Sequence, residues 1–116
     1  MENVKPIIIR DNANHTEYVL EFNKESVKFA EDRGFSLDDL RNGRNEYKNL
    51  ELIFFCAFRM HHKNIPMDKA MKILYDDLGG YPKGMLERMI DLYQQPYAYL
   101  VSEEETAKNP QMSVEL

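Results

Sequence analysis

The sequence predicts an α+β fold in which an N-terminal β-hairpin packs on a bundle of four to five helices. Residues 50–60 are apolar at all but two positions, and this run is longer than a buried strand of about 4 to 8 residues. Residues 16–22 instead place apolar side chains at every second position, as a strand with one buried face does. No repeat or linker interrupts the pattern, so we expect residues 1–101 to form one domain.

The hairpin is predicted from two strands and a turn. Residues 4–10 have a β-branched bias, and Pro6 indicates a strand start or a sheet edge because proline donates no ladder hydrogen bond. Residues 11–15 are rich in Asp and Asn, which is typical of a turn. An isolated hairpin is marginally stable in water, so the apolar face of the second strand should lie on helices. That face is formed by Tyr18, Leu20 and Phe22.

Two short helices are predicted after the hairpin. Asn23 is a favourable residue to begin the first helix. Gly34 ends it, with Phe35 placed to fold back onto its last turn. Ser36 begins the second helix, which Asn42-Gly43 ends after little more than one turn.

The central hydrophobic helix is predicted near residues 46–63. Asn45 or Asn49 could cap its start, and His61 and His62 fall in its last turn, where positive charge is favourable. A helix that is apolar on nearly every side must be surrounded by its own chain or by a partner. It is too short and too charged to span a bilayer, which needs about 20 apolar residues.

Two further helices follow. Pro66 lies at the first turn of one helix, which Gly79-Gly80 ends. Pro82 is predicted to open the other helix, and Pro96 to kink or restart it. The apolar residues after this proline still need partners. They are Tyr97, Tyr99, Leu100 and Val101.

Residues 102–116 are predicted to form an acidic, mobile C-terminal tail. Apolar and polar residues alternate at its end, so this segment could add a strand to an exposed hairpin edge, in this molecule or in a neighbour. A frayed end is the alternative interpretation. The alternating apolar residues are Met112, Val114 and Leu116.

Charge and cysteine content limit the classes of partner and the cellular compartment that the sequence suggests. The chain has 15 basic and 20 acidic residues, a net charge of −5, which argues against binding to nucleic acid or to an anionic membrane. The densest basic patch, Arg41, Arg44 and Lys48, is diluted by acidic neighbours. Cys56 is the single cysteine, which suits a reducing cytoplasm, and the amino terminus lacks the pattern of a secretion signal.

No residue pattern predicts catalysis, a cofactor or a metal site. Adjacent residues on a helix point roughly 100° apart, so His61 and His62 cannot form the i, i+4 pair of a zinc helix. The apolar neighbours of Cys56 predict a buried, inert thiol. The glycine-rich segment 79–84 lacks the spacing of a phosphate-binding loop. We therefore expect a protein that is not an enzyme.

Methionine is the unusual feature. Four of the seven methionines form two i, i+4 pairs, Met67 with Met71 and Met85 with Met89. If their helices pack as an antiparallel hairpin, the pairs lie close together and form an adaptable apolar surface for a partner. Core packing is the favoured interpretation of these four residues, and if they are exposed instead they are the predicted partner-binding residues.

Five segments carry a resemblance to a known family. They are 7–11, 18–23, 54–62, 78–80 and 86–92, which begin Ile-Ile-Ile, Tyr-Val-Leu, Phe-Phe-Cys, Leu-Gly-Gly and Leu-Glu-Arg. In order and pattern they resemble small tail assembly chaperones of long-tailed phages and prophages of Gram-positive bacteria. The resemblance implies a protein of the host cytoplasm, absent from the mature virion, that coats the tape measure protein and recruits tail tube subunits. The alternatives are a structural head–tail or tail adaptor of the virion and a small protein-binding regulator.

Overall fold

The structure is a computed structural model that describes residues 3–101 and 111–116. Within these residues an antiparallel two-stranded hairpin is followed by five α-helices, so the predicted α+β fold is confirmed. The elements are β1 (Ile7–Asp11), β2 (Thr16–Leu20), α1 (Lys24–Asp32), α2 (Leu37–Arg41), α3 (Glu46–Ala57), α4 (Met67–Lys72), a π-helical segment (Ile73–Asp77) and α5 (Met85–Leu100). Among the described residues, no helix has the length and apolar character that crossing a membrane requires.

The predicted hairpin forms, although β1 begins three residues later than the predicted segment 4–10 and β2 ends at Leu20 rather than Phe22. Ile7 pairs with Leu20 and Asp11 with Thr16, and β1 begins directly after Pro6. The Asp11 carboxylate accepts hydrogen bonds from the backbone N–H groups of Ala13 and Asn14, at 3.1 and 3.2 Å, which closes the turn. The side chain and backbone of Asn14 also lower the pKa of Asp11.

The predicted ends of α1 are confirmed. The Asn23 side chain accepts the backbone N–H of Ser26 at 2.9 Å, and the Ser26 hydroxyl accepts the backbone N–H of Asn23 at 2.9 Å. At the other end Gly34 adopts a positive φ of 92°. This turn lets the Phe35 N–H donate to the Ala30 carbonyl at 3.0 Å, as in a Schellman motif.

Helix α3 is the centre of the core, and its own chain covers it. Its residues Ile53, Phe54, Cys56 and Ala57 are buried, and α1, α2, α4 and α5 all pack against it. The Phe54 ring meets two other rings edge-on, with centroid distances of 5.3 Å to Phe58 and 5.9 Å to Tyr81. Packing rather than helix propensity therefore holds this segment, because Phe and Ile are modest helix formers.

The predicted end of the central helix was wrong. Helix α3 ends at Ala57 rather than near residue 63. The Ala57 carbonyl accepts the backbone N–H of Glu21, at 3.0 Å, instead of continuing the helical ladder. The N–H groups of His61 and His62 both turn back to the Phe58 carbonyl. The hairpin thus takes up a hydrogen-bonding group that a longer helix would have used.

The two histidines attach the hairpin to the end of α3. His62 Nε2 accepts the backbone N–H of Val19 at 2.9 Å, and His61 Nε2 lies 2.8 Å from Glu21 Oε1. Their interpretation as residues of a helix end was therefore incomplete, because His62 satisfies a backbone group on the outer edge of β2 and His61 contacts the Glu21 side chain just after this strand. This edge would otherwise leave backbone groups unpaired.

Neither asparagine caps α3 through its side chain. Asn45 occupies the cap position with a left-handed φ of 50° and makes no capping bond. Asn49 lies inside the helix and is fully buried. Its side chain accepts the Ser36 N–H at 2.9 Å and donates to the carbonyls of Arg44 and Asn45. Asn49 therefore joins the start of α2 to α3.

Helix α5 begins later than predicted. Pro82 lies in a turn, and the helix starts at Met85 because Gly84 adopts a positive φ of 86° that a helical residue cannot have. The helix continues through Pro96 to Leu100 rather than restarting.

Helix α5 lies along the N-terminal segment of the chain. The Val4 N–H donates to Gln95 Oε1 at 2.6 Å, and the Tyr99 hydroxyl donates to the Asn3 side chain. The start of α5 consequently lies beside β1, with which the helix packs.

Replacement of Phe54 by alanine tests the role of the core helix. Because Phe54 is fully buried, Phe54→Ala should lower the free energy of unfolding by about 3 to 5 kcal/mol in urea titration. The control is Tyr47→Ala on the same helix, where the side chain is 78% exposed and the expected change is within about 0.5 kcal/mol. Equal effects of the two substitutions would contradict a core centred on α3.

The His62 contact predicts a pH dependence of stability. Burial, and to a smaller extent the neighbouring His61, lowers the pKa of His62. The stabilisation is complete above the unfolded-state pKa of about 6.5. It is lost as the pH falls through the lowered pKa of the folded protein, since the unfolded chain binds the proton more readily. Protonated Nε2 also can no longer accept the Val19 N–H.

The measurement compares urea midpoints at neutral and mildly acidic pH for the wild type and His62→Gln, whose side chain does not titrate. The wild type should lose more stability on acidification than the variant. The His61–Glu21 pair is present in both proteins and cancels in this comparison. His15→Asn, in the hairpin turn, removes a histidine elsewhere and should leave the wild-type dependence intact. An unchanged pH dependence in His62→Gln would refute this role of His62.

Candidate protein-binding surfaces

The two helices that carry the four predicted methionines are not main packing neighbours. Helix α4 has α3 as its main helical neighbour, whereas α5 packs on α1, α3 and β1. The antiparallel α4–α5 pair that would bring Met67 and Met71 beside Met85 and Met89 is therefore not a main packing contact of the fold.

The four methionines also differ in how deeply they are buried. Met89 is fully buried among core residues, as the core interpretation expects. Met67, Met71 and Met85 are half-buried, and Met71 and Met85 pack on the margin of the core. Three of the four sulfur-containing side chains therefore keep a surface that a partner can reach.

The outer edge of β1 has no neighbouring strand, because the described sheet contains β1 and β2 only. Residues in an antiparallel pair alternate between bonding to the partner strand and facing outward. Val19 donates its N–H outward to His62, so its partner Ile8 also directs its backbone groups away from β2. By the same alternation the N–H and C=O groups of Ile8 and Arg10 face the free edge, where no described residue bonds to them.

A groove of about 460 Å³ runs along this free edge, and we call it the β1 groove. Its opposite wall comes from the residues around the turn before α5, including Leu78 and Met85. The lining contains three cations, Arg10, Lys83 and Arg88, and no carboxylate. A protein of net charge −5 therefore has a locally basic groove beside unpaired strand groups.

Sequence reasoning missed the basic groove because its members are far apart in the chain. More than seventy residues separate Arg10 from Lys83, so no cluster is visible along the sequence. The basic patch that the sequence does show is partly neutralised, since Arg44 bonds to Asp38 and Asp39 at 3.0 and 3.1 Å. Pro6 does indicate the free edge beside this groove. It lies two positions before Ile8, where a backbone N–H would face that edge, and proline has none.

The last turns of α5 form an exposed apolar surface, which we call the α5 patch. Tyr97, Leu100 and Val101 have exposed fractions of 67%, 74% and 54%. Tyr97 and Leu100, three residues apart, lie on one face of the helix, and Val101 follows directly after its end. The same helix is fully buried at Met89 and Leu92, so its apolar residues continue beyond the core that covers them. The expectation that these residues need partners therefore applies to an exposed surface of the molecule.

Cys56 lies in the core, and His61 and His62 bond to the second strand and the residue after it. Cys56 is fully buried, and burial raises the pKa of its thiol to about 12, so the reactive thiolate does not form near neutral pH. Within residues 3–101 and 111–116, no three His, Cys, Asp or Glu side chains come together as a metal site would require.

Comparison with known families adds one finding. The family model described as "Domain of unknown function (DUF5055)" matches residues 2–116. The chain belongs to the DUF5055 family. No curated protein and no solved structure shows a significant match to it. The surfaces of this DUF5055 protein therefore have to be interpreted from its own residues.

Methionine oxidation tests the burial pattern in the DUF5055 fold. In native protein treated with peroxide, Met67, Met71 and Met85 should oxidise several-fold faster than Met89, because the core shields the Met89 sulfur. Peptide mass spectrometry measures each site, and protein unfolded in urea is the control in which the four rates should converge. Equal rates in the native protein would contradict the placement of Met89.

Proposed function

We propose that the protein is a non-catalytic binding factor in phage tail assembly, a chaperone that binds the tape measure protein and tail tube subunits. It would act in the host cytoplasm before the tail is complete. The resemblance of five segments to tail assembly chaperones suggests this role. The single structural observation that supports it best is the exposed α5 patch.

The α5 patch has the properties of a site for another helix. Tyr97, Leu100 and Val101 are apolar, lie at the end of α5 and together leave an uncovered surface of a kind that commonly marks protein contacts. A helical partner with its own apolar stripe could pack alongside, as helices do through ridges and grooves. A long, largely helical tape measure protein would offer many such stripes.

Weak binding at each site would suffice for this role. Several copies along one long partner gain from avidity, since each neighbour on the same chain raises the effective concentration of the next. The net charge of −5 favours solubility of such a complex by electrostatic repulsion between complexes. The half-buried methionines Met67, Met71 and Met85 remain candidate secondary contacts because their flexible side chains adapt to varied apolar surfaces.

Co-expression tests the proposal. The wild-type chain, expressed with the tape measure protein of the same phage genome, should keep that protein soluble and co-purify with it. The double substitution Tyr97→Asp, Leu100→Asp should weaken binding by more than about tenfold, since it places two charges in an apolar contact. The control Tyr47→Asp changes a tyrosine on α3 that is 78% exposed, against 67% for Tyr97, and should bind as the wild type does.

Two outcomes would contradict the proposal. The first is a tape measure protein that precipitates as fully with the wild-type chain as without it. The second is detection of the chain in purified virions by mass spectrometry, which would favour a structural adaptor over an assembly chaperone.

A further inference from the structure

We propose that the β1 groove binds residues 111–116 of a second copy of this chain, which add a third strand to the hairpin. We call residues 111–116 the tail segment. Exposed strand edges commonly bind extended segments in this way, with main-chain hydrogen bonds giving affinity. The interaction is independent of the proposed role in tail assembly because both components belong to the same chain.

The tail segment has the length and pattern of a strand that fits this edge. Met112, Val114 and Leu116 lie at alternate positions, so an extended backbone places them on one face. Residues 112–116 extend over about 17 Å, which is the length of the five-residue strand β1. A strand of this length can bond to the outward groups of Ile8 and Arg10, whereas Pro6 offers no donor beyond them.

Charge complementarity identifies the tail segment as the occupant. The β1 groove presents Arg10, Lys83 and Arg88 without a carboxylate in its lining. Arg10 is paired with Glu17 at 3.2 Å, whereas Lys83 and Arg88 have no ion pair among the described residues. The tail segment carries Glu115 and no cation. Its apolar face can pack on Leu78 and Met85, and the carboxylate of Glu115, on the opposite face of the strand, is attracted by the positive charge of the groove.

The arrangement in the single chain favours a second copy over the segment's own groove. The tail segment has no strand structure in this chain, and Met112 and Val114 have exposed fractions of 66% and 68%. The β1 groove is open at the same time. Two copies can exchange tail segments reciprocally, which gives a closed pair with two-fold symmetry and satisfies both free edges.

Sedimentation equilibrium of the purified full chain tests the inference over about 1 μM to 1 mM protein. The wild type should dimerise reversibly, and more weakly at high salt. Glu115→Lys and Arg88→Glu should each raise the dissociation constant of the dimer about tenfold, because each removes an attraction and adds a repulsion. The double variant should recover most of the wild-type affinity. Arg41→Glu makes the same charge change on an exposed residue of α2 and should leave dimerisation unchanged.

Both charge positions are exposed, so circular dichroism should show the same folded state in all variants. A wild-type chain that is monomeric over the whole range would overturn the inference. Association that neither charge reversal weakens would also overturn it, since the contact would then lie elsewhere. Protection of residues 111–116 from hydrogen exchange in a purely monomeric sample would place the segment in its own groove and likewise refute exchange between copies.

Discussion

The burial of the second half of α3 is the constraint on which the rest of the structure depends. Its run of Ile53, Phe54 and Phe55 consists of modest helix formers, so the helix persists because four other helices and the hairpin cover it. The cover also satisfies backbone groups of α3. The Tyr81 hydroxyl donates to the Leu50 carbonyl at 2.6 Å, and the Glu21 N–H donates to the Ala57 carbonyl at 3.0 Å. Packing and hydrogen bonding therefore hold both the hairpin and the turn before α5 against α3.

This arrangement determines where binding surfaces remain. The buried apolar residues of α3 lie in the core and cannot contact a partner. Surfaces open to a partner therefore lie where another element extends beyond the core or ends without a neighbour. Helix α5 extends beyond it at the α5 patch, and β1 ends the sheet at the β1 groove. The first surface is apolar and suits a helix, whereas the second is basic and suits an acidic strand. The two proposals therefore use different parts of the molecule and do not compete.

Local sequence signals predicted the fold where neighbouring residues decide the structure. The capping residues Asn23 and Gly34 and the alternation in β2 act within a few positions, and each prediction from them was confirmed. The predictions that were wrong depend on residues far apart. The Ala57 carbonyl at the end of α3 bonds to Glu21, the residue after β2 and about 36 positions earlier, and His62 bonds to Val19 across 43 positions. The basic groove could not be predicted for the same reason, since it arises from distant segments meeting.

The central claim is that α3 is covered by its own chain and that its burial holds the fold together. Native-state hydrogen exchange of the amides of residues 53–57, at a protein concentration where the chain is monomeric, tests it most directly. These amides should be among the slowest to exchange, with free energies of opening equal to that of global unfolding. Their protection should not change on further dilution. Fast exchange of these amides in the monomer, or protection that appears only as the concentration rises, would show that a partner covers α3 and would contradict the account.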